Sequence, residues 1–144
     1  MTRNKILVGA LEKCSLPDLN IENLETRIDT GAKTSSLHVD NIREFEHNGE
    51  TWIEFDIHPD VHQVEVIVKR KAKMMAKRKI KSSTGTIQTR YIIKTTIMIG
   101  KKSWPIEVSL SDRSNMTYLM LLGREAMHGK IIVDPQRRFV QLTS

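Results

Sequence analysis

The chain is nearly without cysteine: Cys14 stands alone among 144 residues. It has no internal partner for a disulfide and no second thiolate with which to build a zinc knuckle. Long apolar runs are missing as well. None approaches the ~20 residues that a membrane helix needs, and the opening MTRNKILVGALEK lacks the apolar core of a secretory signal. A cytoplasmic protein with no membrane partner is therefore expected. Neither GxxxxGKS/T nor GxGxxG occurs, which leaves nothing to cradle a triphosphate. His58 and His62 lie four apart in HPDVH, but Pro59 sits between them and no Glu follows His58, so the helical HExxH zinc arrangement is absent. His38, His47 and His128 are scattered, no carboxylate-histidine cluster is expected to join them, and neither a metal nor any other cofactor is expected. A serine or cysteine nucleophile would have to be Ser35, Ser36 or Cys14, none with a distinguishable base beside it.

What is present suits one soluble domain over residues 1–144, with 39% hydrophobic and 28% charged residues. The dominant period is two, the spacing of strands. In TWIEFDI, Ile53, Phe55 and Ile57 share one face and Glu54 and Asp56 the other. RYIIKTTIMIG puts Tyr91, Ile93, Thr95, Ile97 and Ile99 on one side, turns at Gly100-Lys101-Lys102, and returns through Trp104, Ile106, Val108 and Leu110, which predicts a hairpin. YLMLLG reads as a strand buried on both faces, and IIVDP followed by RRFVQL as a closing pair of strands around Asp134-Pro135. Only GREAMHG, Gly123 to Gly129, suggests a short helix. The expected fold is all-β, a small closed barrel with one short helix towards the C-terminus.

Residues 69–81, KRKAKMMAKRKIK, hold eight Lys or Arg in thirteen positions and supply most of the +6 net charge. Such a run is a solvated face or loop, a nucleic-acid footprint, or an attractor of acidic protein. It contains no aromatic residue for stacking on bases.

The carboxylates carry the remaining chemistry. In RIDTGAKTSSL, Arg27 to Leu37, Asp29 follows a strand-like entry and precedes Thr30 and Gly31. A tight turn of this composition holds a carboxylate beside backbone N–H groups and a hydroxyl. It is half of a site. Peptide hydrolysis by carboxylates needs two of them around one water and sharing one proton, because like charges a few ångströms apart do not both ionise cheaply. A chain with one DTG obtains the second from a copy of itself, so a homodimer is expected.

MLLGR, Met120 to Arg124, and an intervening SSTG hairpin complete a pattern that resembles the retropepsin-like aspartic proteases. In that family a strand ending in DTGA carries the catalytic Asp, a glycine-rich hairpin forms a flap over the substrate, and an apolar-apolar-Gly-Arg segment before a short helix packs beneath the catalytic turn. The resemblance implies that Asp29, Thr30 and Gly31 form the catalytic triplet. It places the flap at Ile80 to Arg90, with substrate contacts from Ser82, Ser83, Thr84, Gly85 and Thr86, and the supporting segment at Leu121, Leu122, Gly123 and Arg124. LPDL at 16–19, KSSTG at 81–85, WPIEVSLSDR at 104–113, LLGREAM at 121–127 and VDP at 133–135 are similar to a bacterial branch that carries the name ATP-dependent zinc proteases. That branch is associated with enzymes that ligate glutamate onto a ribosomal protein. The resemblance thus implies an aspartic endopeptidase acting on acidic or glutamylated protein tails, with a ribosomal protein or a glutamate ligase as partner. A retropepsin-like module that binds a peptide or the ribosome without cleaving, and a basic RNA-binding β-module, are the alternatives. One position departs from the pattern. Where retroviral enzymes carry an acidic residue that pairs with the Arg of the GR segment, this chain has Lys33, so Arg124 needs another partner, with Glu125 and Asp134 as candidates.

Overall fold

Alternation of apolar and polar residues organises the chain into strands, and the computed structural model describes residues 4–58, 67–81, 85–111 and 118–141. In chain order the strands are β1 (Ile6–Val8), β2 (Leu11–Leu16), β3 (Ile21–Ile28), β4 (Ser35–His38), β5 (Asp40–His47), β6 (Glu50–Ile57), β7 (Val68–Lys73), β8 (Ala76–Lys81), β9 (Ile87–Ile99), β10 (Lys102–Ser111), β11 (Met120–Leu122) and β12 (Ile131–Val133). Pro17–Leu19 form one turn of 3₁₀ helix between β2 and β3, and α1 (Arg124–Met127) is the α-helix among the described residues. None of their helices is long and apolar enough to cross a membrane.

The order β10-β4-β11-β3-β2-β9, closed by pairing of β9 with β10, makes a six-stranded barrel, and β8 extends it beyond β9. The predicted hairpin forms, with Trp104 opposite Ile97, Ile106 opposite Thr95 and Val108 opposite Ile93. These residues face inward together with Leu24, Leu37, Met120 and Leu122, all buried. Each fully buried Leu or Ile side chain contributes roughly 1.5–3 kcal/mol, so the interior is held by this alternation more than by any polar contact. Consecutive strands β3 and β4 do not pair with each other. β11 lies between them, parallel to β3 with Leu122 opposite Ile28 and antiparallel to β4 with Met120 opposite Leu37.

β5, β6 and β7 form a separate three-stranded sheet. Its inner face carries Ile53, Phe55 and Ile57, each fully buried. On the outer face the register puts Lys71 opposite Glu54 and Lys69 opposite Asp56, and Lys73 Nζ lies 2.9 Å from Glu50 Oε2. Three of the eight basic residues are thus matched by acids of the neighbouring strand, and the whole run is two strands, β7 and β8, joined at Met74-Met75. There the consecutive amides donate to different sheets, Met74 N to Thr51 O at 3.0 Å and Met75 N to Ile92 O at 2.8 Å. Arg70 points the other way, and its Nε donates to Leu19 O at 2.6 Å.

The expected strand pair around Asp134-Pro135 does not form. β12 pairs in parallel with β1, while the described part of RRFVQL runs as turns, with Phe139 at a left-handed φ of 53°. The cause is Glu12, fully buried on β2. Its Oε2 accepts N–H bonds from Gly9 and Val140, both at 2.8 Å, and its Oε1 accepts one from Gln141 at 3.0 Å. A carboxylate in that position gathers backbone donors that a strand ladder would otherwise have used.

Candidate functional site

β3 delivers Asp29 to the end of the barrel wall, and β11 fixes it there: Asp29 N–H donates to Leu122 O at 2.9 Å. The side chain folds back over its own turn, where Asp29 Oδ1 accepts the Gly31 N–H at 3.0 Å, and Asp29 O accepts the Ala32 N–H at 3.1 Å. A Cβ on Gly31 would come within 3.3 Å of Asp29 Oδ1, so glycine lets the carboxylate sit close against the backbone. Asp29 is half-buried, and Thr30 and Gly31 are exposed. Among the described residues Asp29 Oδ2 accepts no hydrogen bond. The turn therefore presents one oriented carboxylate oxygen at an open surface.

After Leu121 and Leu122 in β11, Gly123 passes so close to Thr34 that a Cβ would stand 2.5 Å from its carbonyl carbon and oxygen. Gly123 N–H donates to Ser35 Oγ at 3.0 Å; Arg124 N–H and Glu125 N–H donate to Ala32 O at 2.8 Å and Lys33 O at 3.1 Å. Arg124 Nη1 reaches Gly31 O at 3.2 Å. Its partner is thus a backbone carbonyl of the Asp29 turn, and Glu125 instead faces Lys33 at 3.7 Å. The departure at Lys33 is matched by an acid one residue after the arginine.

Gly85 and Thr86 follow β8 on the hairpin that β8 and β9 make, with Gly85 at φ +87° and no atom within 4 Å of where its Cβ would be. Ser82, Ser83 and Thr84 lie outside the described residues. The structure brings the Asp29 turn and Leu122 to Arg124 together; no hydrogen bond or ion pair joins Gly85 to them.

Other candidates resolve differently. Cys14 is buried, and burial pushes its thiol up to about 12, with the Thr26 hydroxyl opposing and the Glu12 carboxylate adding to the rise. A thiol held protonated is no nucleophile at neutral pH. Ser35 is 2% exposed and its hydroxyl accepts from Gly123, which makes it part of the support. Sequence spacing missed one cluster: Asp40 Oδ2 lies 2.8 Å from His58 Nε2 and Asp40 Oδ1 lies 3.7 Å from His38 Nε2. Proximity arises because β4 runs directly into β5 and β6 returns beside it. Among the described residues no three His, Cys, Asp or Glu side chains are placed to hold a metal ion. A cleft of about 380 Å³ opens on the far side of α1, between Thr34, Trp104, Glu107, Glu125 and His128. Asp29 is not among its walls.

Residues 7–144 match the model of a family described as "Retropepsin-like aspartic endopeptidase RimB". A curated protein of Shewanella halifaxensis named "Probable alpha-L-glutamate ligase" is 42% identical over 139 residues, which cover 96% of this chain and 30% of that protein. A protein of the same name from Parasynechococcus marenigrum is 44% identical over 136 residues, 94% of this chain and 29% of its own length. The chain spans about three tenths of the curated relatives it matches, and these carry the ligase name, where the resemblance had pointed to a zinc-protease name. A crystal structure of a protein of unknown function from Legionella pneumophila superposes with a TM-score of 0.78 at 31% identity, covering 94% of this chain and 98% of that one.

Proposed function

Because the chain belongs to the RimB-like family of retropepsin-like aspartic endopeptidases, we propose that it hydrolyses peptide bonds as a homodimer in which each copy supplies Asp29. The observation that carries this reading is the Asp29 turn, with one carboxylate oxygen engaged by Gly31 N–H and the half-buried Asp29 followed by the exposed Thr30 and Gly31. Two such turns across a twofold axis place two carboxyl groups around one water, and the pair holds a single proton between them. The ionised member takes a proton from the water as its oxygen attacks the scissile carbonyl carbon. The protonated member donates to the carbonyl oxygen, giving a neutral tetrahedral diol. Collapse breaks the C–N bond as the protonated Asp29 gives its proton to the leaving amine and a diol hydroxyl gives one to the ionised Asp29, so the dyad is again singly protonated. Thr30 braces the two turns against each other, and the β8–β9 hairpin with Gly85 and Thr86 covers the bound peptide.

The substrate is an acidic polypeptide, cut within or next to a run of glutamates. Two features support this: the relatives named for glutamate ligation, whose match covers 96% of this chain, and the exposed Arg78 and Lys79 on β8. A ribosomal protein bearing an acidic tail, met in the cytoplasm alongside a glutamate ligase, fits that chemistry. The test is incubation of the purified chain and of Asp29→Asn with a peptide ending in consecutive glutamates, read by mass spectrometry and by size-exclusion. Cleavage by the parent, none by the variant and an unchanged dimer are expected; turnover by Asp29→Asn sinks the assignment. The ligase name of the relatives also favours a second reading, a module that holds the acceptor polypeptide for a ligase without cutting it. That reading expects equal peptide affinity in both forms and no products.

A further inference from the structure

Glu44 occupies an unusual place in β5. It stands opposite Ile53, whose side chain is fully buried, so its carboxylate leaves the strand on the face turned towards the barrel. There Glu44 Oε2 accepts from Lys77 Nζ at 2.8 Å and from the Tyr91 hydroxyl at 2.9 Å. Lys77 and Tyr91 are cross-strand partners in the β8–β9 ladder, and Lys77 Nζ lies 5.5 Å from the centre of the Tyr91 ring. One carboxylate thus grips both strands of the hairpin on the same rung.

That rung is the root of the hairpin. Two residues before Lys77, Met75 N–H makes the bond to Ile92 O that carries the chain out of the three-stranded sheet. One rung further out, Arg78 stands directly opposite Arg90, and like charges facing each other weaken a ladder. The sheet therefore holds the hairpin at two points, through the continuous chain at Met74-Met75 and through Glu44 from its opposite edge strand, just before the ladder becomes weaker. We infer that Glu44 is a positioning residue: it ties the three-stranded sheet to the root of the β8–β9 hairpin and so sets where the hairpin stands over a bound substrate. The role over a substrate rests on the peptidase reading above; the tie itself does not.

Each partner is displaced towards its charged form. The lysine and tyrosine donors hold the Glu44 carboxyl below the usual carboxylate range, and the carboxylate raises the Lys77 ammonium. Their side chains are 37% and 41% exposed, so the tie is soft, of a strength that thermal motion opens and closes.

Hydrogen exchange on the full chain tests this directly. Glu44→Gln removes the charge and Tyr91→Phe removes one of the two donors, and neither change buries a new group. In both variants, peptides covering Ala76–Lys81 and Ile87–Tyr91 are expected to exchange about 3- to 10-fold faster, the loss of one or two exposed polar bonds. Peptides from β2 and β3 should be unchanged. With a cleavable acidic peptide, KM rises several-fold while kcat stays within about twofold, because the Asp29 turn is untouched. Exchange within about twofold of the parent in the hairpin, acceleration spread evenly over all strands, or a loosened hairpin with unchanged KM each overturns the inference. If the parent cleaves nothing, the peptidase reading fails on its own account and the tie is judged on exchange alone.

Discussion

Replacing Glu12 by Gln changes one oxygen to an amide nitrogen in a fully buried carboxylate, and the geometry fixes what that costs. Oε2 serves Gly9 and Val140, and Oε1 serves Gln141. The best arrangement of the glutamine puts its carbonyl oxygen where Oε2 stood, which keeps two bonds without their charge and turns the NH₂ against the Gln141 N–H. One charge-assisted bond is lost, two are weakened and two donors face each other. At about 1.5–3 kcal/mol for a hydrogen bond to a charged group, the total is roughly 2–3 kcal/mol. Glu12→Ala abandons all three donors and costs about 3–5 kcal/mol. For a domain of this size 1 kcal/mol moves Tm by roughly 3–5 °C, so Glu12→Gln should melt about 6–15 °C below the parent. Urea titration gives the free energy, and hydrogen exchange at Val140 and Gln141 shows whether the loss is local. The reasoning is refuted if Glu12→Gln unfolds within about 0.5 kcal/mol of the parent, since the three short N–H contacts would then carry no net energy. Any cleavage activity should fall with stability, because the Gly9–Leu11 segment lies against the strand that leads into the Asp29 turn through the Ile28 N–H to Ala10 O bond at 2.9 Å.

Gly123→Ala sets a methyl against the Thr34 backbone at 2.5 Å; relief means separating β4 from the α1 entry, at a cost of about 1–3 kcal/mol, and any cleavage activity should drop more than the melting temperature suggests. Cys14, with its thiol pushed up to about 12 by burial, should resist iodoacetamide in the native chain at pH 8 and react at once in urea; native labelling on the time scale of a free thiol would contradict the packing around it. Lys33→Ala should shift stability by less than about 0.5 kcal/mol, since the Lys33–Glu125 pair is exposed on both sides, and a larger loss in denaturant titration would give Lys33 a role that its contacts do not show.

The turn and its support were legible because their contacts are short and chemically marked. DTG needs a glycine beside a carboxylate, and LLGR needs a glycine where two backbones touch, at Gly123 and Thr34. The β9–β10 hairpin was legible because its alternation persists across both strands. The basic run hid a period of two, because Arg70 belongs to the inner face with Val68 and Ala72 while Lys69, Lys71 and Lys73 point outward; charge alone cannot separate them. Glu12 was missed for the converse reason. It shares its parity in β2 with Cys14 and Leu16, and a carboxylate at an inward position was the available signal that the C-terminal RRFVQL would be drawn into turns. The convergence of Asp40 with His38 and His58 depends on which strands neighbour each other, which no local pattern contains.

The slot between β3 and β4 also has a consequence for how the molecule comes into being. The Asp29 N–H bonds to Leu122 O, so the residue that anchors the turn enters the chain 93 positions after it. Until β11 arrives, β3 and β4 flank a gap and the carboxylate rides on an unfastened loop. Pairings over so long a sequence separation form late, after the local hairpins. A ribosome that has made β3 and β4 but not yet β11 therefore carries the DTG sequence without the bond that anchors its turn. The turn that the proposed chemistry needs is completed only when β11 arrives, so a peptidase of this design could not cut before that strand is made.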